Sequence, residues 1–197
     1  MTQIIEPTLA PPGAGLPAPE LFVARIFFTW RRWKATRERS NAEFQEERAA
    51  IAEMTRGCDA EVGARRVLID RLRGMEDSSR HWSVWMTLEH LRLVHSGIIH
   101  VIASLAKGTI PAIKASTAAV KPSPQVTAEV VSEYEKSCDT LLATVADTPN
   151  LGTREKHAHP WFGPLDAAGW HAIAAMHIGI HRRQIELIFA GLAGTGN

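Results

Sequence analysis

The stretch from Val84 to Ala106 constrains the fold more than any other part of the chain. Met86, Leu88, Leu91, Leu93, Val94, Ile98, Ile99, Val101, Ile102 and Leu105 make it apolar on nearly every side. A helix of that kind is stable only when other elements surround it. Ser83 is suited to cap its start and Gly108 to stop it. At about 1.5 Å per residue the helix is long enough to be the axis of a bundle.

The rest of the chain supplies helices to surround it. Val130, Tyr134, Cys138, Leu141 and Val145 recur at spacings of three and four, which places them on one face of a helix over 128–146. Asp166 caps a last long helix that runs to about Ala190. Val62, Val67, Leu68, Leu72 and Met75 predict a helix over 59–75. No segment alternates with period two for long enough to form a strand. The expected fold is therefore all-α, a four-helix bundle over 57–191 with an additional N-terminal helical segment over 19–56. Residues 1–18 are rich in Pro, Gly and Ala and read as a flexible or loosely docked arm, and residues 192–197 as a tail.

Within 19–56, Leu21, Phe22, Ile26, Phe28, Trp30 and Trp33 mix with Arg25, Arg31, Arg32 and Lys34. That mix suits a membrane surface, but nothing else points to lipid. The reading adopted is a helix packed on the bundle or at a subunit interface, with no membrane association. Residues 37–54 are charged, with a thin apolar stripe at Phe44, Ile51 and Met54. The 22 Lys and Arg against 21 Asp and Glu leave a net charge of +1. No basic face is indicated, so no nucleic-acid partner is expected. Cys58 and Cys138 are distant and form no CxxC motif, which suits two reduced thiols in a cytoplasmic protein.

The chemistry lies in the histidines. All nine fall between His81 and His181. His177 and His181 are four apart on the last helix, one turn apart on one face, where two imidazoles can hold one ion. The Glu of an HExxH protease is missing, because Ile178 stands in its place. His90 lies in the middle of the apolar helix and is the third candidate ligand. His95 and His100 are turned from it by about 140° and about 80° and read as surface or interface residues. Three histidines from facing helices leave a coordination position open, as a catalytic site requires. Glu89 points to another face and is a poor general base for the site. His171 lies about 120° from His177 and is left outside it.

Two blocks of sequence resemble the DinB/YfiT-like superfamily of metal-associated four-helix bundles. The first is His81-Trp82-Ser83-Val84 followed by Thr87-Leu88-Glu89-His90-Leu91. The second is His159-Pro160-Trp161-Phe162-Gly163-Pro164-Leu165, then Trp170, then His177-Ile178-Gly179-Ile180-His181 with Gln184. The resemblance implies a bundle with one long crossover and a metal triad of His90, His177 and His181. It implies one divalent ion (Zn, Ni, Mn, Fe or Co), a small-molecule substrate, a low-molecular-weight thiol as co-substrate, and a homodimer. The implied activity is thiol-dependent transfer or hydrolysis. His159, Trp161, Trp170 and Gln184 are candidate pocket residues. The competing reading is a non-catalytic module in which the metal only holds the helices together.

Overall fold

The computed structural model describes residues 7–194. Helix α1 (Ala18–Trp33) leads into α2 (Arg37–Thr55) and a short α3 (Ala60–Ala64). Strand β1 (Val67–Leu68) pairs antiparallel with β2 (His81–Trp82), which runs directly into α4 (Val84–Ala106). A long crossover over 107–129 precedes α5 (Val130–Ala146). A hairpin of β3 (His157–His159) and β4 (Gly163–Leu165) then delivers the chain to α6 (Ala167–Gly194).

The bundle is built from α2, α4, α5 and α6. Helix α4 packs on α5 and α6, and α2 packs on α6. Arg48 of α2 closes the ring by binding Glu135 at 2.6 Å and Asp139 at 2.7 Å on α5. The expected caps are present. Ser83 Oγ accepts from Met86 N–H at 3.1 Å, and Asp166 Oδ1 from Gly169 N–H at 2.8 Å. All five residues expected on the inner face of α5 are buried. Helix α6 runs one turn beyond Ala190, so residues 192–194 continue it, and the remaining expected tail lies outside the described residues.

The helix expected over 59–75 does not form. Its place in the bundle is taken by α2, whose seam of Ser40, Phe44, Ile51 and Thr55 is buried although most of its surface is charged. After α3 the chain turns extended. Gly63 lies against the Trp85 ring, Val67 packs against Gly191, and Ile69 N–H bonds the Arg80 carbonyl at 3.0 Å. These cross-chain contacts outweigh a modest local helical preference. Two short strand pairs thus interrupt a chain that shows no strand period.

The N-terminal arm is docked where it is described. Ala10 N–H bonds Asp77 at 2.8 Å, and Gly13 and Gly15 N–H groups bond Glu76 at 3.0 and 3.2 Å. Residues 1–6 of the expected arm lie outside the described residues. Helix α1 rests on the β3–β4 hairpin through the Phe28 and Phe162 rings, 4.5 Å apart, and through Arg32 to Asp166. Of its expected apolar residues only Phe28 is buried, while Phe22, Ile26, Trp30 and Trp33 face outward. Among the described residues, no helix is long and apolar enough to cross a membrane.

A Cβ built on Gly63 falls 2.2 Å from two carbons of the Trp85 indole. Gly63→Ala should therefore destabilise the protein by about 1–3 kcal/mol through overpacking, read as a lower urea midpoint. An unchanged midpoint would show that α3 shifts freely.

Candidate metal centre

Two helices bring three imidazoles together. His90 enters from the middle of α4, and His177 and His181 project from one face of α6. Their ligating atoms all lie within 4.8 Å of one another. His177 Nε2 is 3.2 Å from His90 Nε2 and 3.1 Å from His181 Nε2. His90 and His181 are buried, and His177 is partly open.

The surroundings decide which nitrogen of each ring bears hydrogen. His90 Nδ1 is 2.7 Å from the Val120 carbonyl, which only accepts, so Nδ1 is the donor and Nε2 carries the lone pair. Gln184 Nε2 donates to the Ser79 carbonyl at 2.7 Å, which leaves its Oε1 to accept from His181 Nδ1 at 2.6 Å. His181 Nε2 is therefore also a lone pair. These assignments follow from the hydrogen-bond network. Two inward lone pairs then face the Nε2 of His177, whose Nδ1 is buried without a partner.

The donor set fits a divalent cation. A zinc ion bonded to histidine nitrogen at about 2.0–2.1 Å sets tetrahedral neighbours roughly 3.3 Å apart, close to the 3.1 and 3.2 Å seen here. Burial pushes His90 down to about 4, and it pushes His177 and His181 well below the usual imidazole range, helped by the neighbouring rings. All three are neutral at pH 7, the form that ligates.

The triad opens on a cavity of about 340 Å³. His159, Trp161 and Trp170 line it as expected of pocket residues. His159 Nδ1 accepts from Trp161 N–H at 3.1 Å, so its Nε2 carries hydrogen as a neutral donor. Burial lowers its pKa to about 4. Trp82 stacks over His181 with ring centroids 6.2 Å apart. Gln184 does not line the cavity. It is fully buried behind His181, because both ends of its amide are taken by His181 and Ser79. Glu89 is engaged by Arg92 at 2.7 Å and stands outside the triad, as expected.

His95 is a correction. It was expected at a surface or interface, but it is fully buried between α2, α4 and α5. Its Nδ1 lies 3.0 Å from Ser137 Oγ, and Phe44 and Tyr134 pack against its ring. The helix over 37–55 covers it, which the expected bundle without that helix did not allow. His100 is exposed, as expected. His171 is buried apart from the triad.

Three partners were not foreseen. The Val120 and Ser79 carbonyls are backbone atoms with no signature in residue type. Glu76, in the loop before β2, is buried and also accepts from Thr117 Oγ1 at 2.9 Å. The arm's N–H groups need acceptors, but Glu76 and Asp77 lie more than sixty residues further along the chain, so only the fold brings them together.

A family model described as the DinB superfamily matches residues 43–185. A solved structure described as TT2238, a four-helix bundle protein, superposes with a TM-score of 0.55 at 20% identity, covering 77% of this chain and 98% of that one. That likeness supports the fold. No curated protein matches the chain.

The buried imidazoles make stability depend on pH. His90 is held at about 4 and His95 at about 3, both below the ordinary 6.5. As the pH falls through 6.5 the unfolded chain takes up protons that the folded chain refuses. The stabilisation is complete above that value and is lost on the way down to the folded values, at about 1.4 kcal/mol per pH unit for each imidazole. Urea midpoints of chelator-treated protein should fall steeply between about pH 6.5 and about pH 4, whereas a flat profile would contradict the burial.

Proposed function

This chain belongs to the DinB superfamily, and on that footing we propose that it is a metal-dependent enzyme whose centre is His90, His177 and His181. The observation that carries this reading is the convergence of three Nε2 atoms, two of them fixed as inward lone pairs by the Val120 carbonyl and Gln184. A divalent ion held there supplies Lewis acidity, which lowers the pKa of a thiol or a water at neutral pH. The reaction class this suits is thiol-dependent transfer or hydrolysis of a small molecule.

The chain's own groups have distinct tasks. Val120 and Gln184 hold the ring planes and tautomers of His90 and His181, as acceptors behind metal-bound histidines do. Trp82 shields the two buried rings from water. His159 lines the cavity as a neutral Nε2–H donor, suited to hydrogen-bond a substrate oxygen. Glu89 is tied to Arg92, so no carboxylate base is assigned from α4. A purely structural metal would be enclosed on all sides; the cavity over the triad favours the catalytic reading.

Protein purified without chelator should hold about one divalent ion per chain by elemental analysis, and His177→Ala with His181→Ala should abolish it. Gln184→Leu should weaken metal affinity by roughly 10- to 100-fold while the three ligands remain. No ion in the wild type, and no uptake on adding zinc, nickel, manganese, iron or cobalt, would overturn the proposal.

A further inference from the structure

The crossover over 107–129 contributes more to the cavity than the carbonyl behind His90. It also carries Lys114 and Lys121, both of which line the cavity. Both are exposed, and among the described residues neither has a carboxylate partner. Lys121 follows Val120 directly, so its backbone is anchored beside the triad. The inner wall is of opposite character, with Val94, Ile98, Val101, Ile173 and Trp170 giving an apolar lining.

Among the lining residues the one carboxylate is Glu76. Its oxygens already accept from Gly13 N–H, Gly15 N–H, Thr117 Oγ1 and Ser78 Oγ, which occupy the roughly four acceptor sites of a carboxylate. The lining therefore offers apolar walls, the neutral imidazoles of His90, His159, His177 and His181 at one side, and two unpartnered ammonium groups from one segment. A wholly apolar ligand would leave the lysines unused, and a strongly polar one would lose its hydration against the walls without compensation. A cavity of about 340 Å³ lies within the usual range for small-molecule sites.

We propose that the cavity binds a small amphiphile, an apolar or aromatic body lodged against Val94, Ile98 and Trp170 with an anionic group held by Lys114 and Lys121. This rests on the reading above for its chemistry, since the body then lies over the triad. The binding preference itself does not require the metal.

The test uses 4-phenylbutanoate and its neutral isostere 4-phenylbutanamide, titrated calorimetrically into chelator-treated full-length protein at a pH where the triad is neutral. The acid should bind roughly tenfold more tightly than the amide, as expected for a charge-assisted contact, and the gap should shrink with added salt. In a Lys114→Met, Lys121→Met variant the acid should fall to the amide's affinity while the amide is unchanged. Val94→Trp, which fills the cavity, should weaken both ligands. Equal binding of acid and amide to the wild type would overturn the proposal, as would a preference that survives loss of both lysines. Absence of binding by either ligand would overturn it too. Because no metal is present in these titrations, failure of metal uptake would sink the proposed enzyme and leave this result standing.

Discussion

Three imidazole nitrogens meeting edge to edge inside a helical bundle cannot satisfy one another. His90 and His181 each spend their one N–H on an acceptor behind them, the Val120 carbonyl and Gln184. Their inward atoms are then both lone pairs, and His177 can donate to one of them at most. Protonation would relieve the shortage, but burial makes a charged imidazole costly, and the lowered pKa values record that cost. A divalent cation would resolve the conflict, because it could take all three lone pairs while the rings stay neutral. The arrangement makes sense as a site more readily than as packing.

That conflict is sustained by parts of the chain that are not ligands. The crossover over 107–129 has little regular structure, yet it places the Val120 carbonyl on His90. It is tied in turn to Glu76 through Thr117, and Glu76 also receives the Gly13 and Gly15 N–H groups of the arm. One buried carboxylate thus joins two irregular segments at the edge of the cavity. Gln184 performs the corresponding task on α6, linking His181 to the Ser79 carbonyl in the loop before β2. Local helix formation sets the four-residue step between His177 and His181, and these longer connections set which way the rings turn.

Helix α2 shows how packing can be decided by a narrow signal. Its seam of Ser40, Phe44, Ile51 and Thr55 is thin, and most of its remaining surface is charged. It earns a central place because its charges find partners on both neighbours, Arg48 with Glu135 and Asp139 on α5, and Glu47 with Arg182 on α6. The segment over 59–75 is richer in apolar residues but is drawn into strand pairing and loop contacts by Trp85, Trp82 and Gly191. The position of α2 also explains His95, which lies under Phe44 instead of at the surface.

Local pattern was enough for the all-α class, the buried central helix with its Ser83 cap, the inner face of α5, and the pairing of His177 with His181. These depend on helical period and capping chemistry, which act between residues a few positions apart. The place of His90 in the middle of the apolar helix made it a candidate ligand, but its approach to α6 depends on how two helices cross. Tertiary structure alone decided that α2 is the fourth bundle helix, that His95 is buried and that Glu76 holds the arm. It alone turned Gln184 away from the cavity and assigned the nitrogen lone pairs. Each of these rests on a partner far along the chain, often a backbone carbonyl, and a carbonyl's position is a property of the folded chain that no residue type encodes.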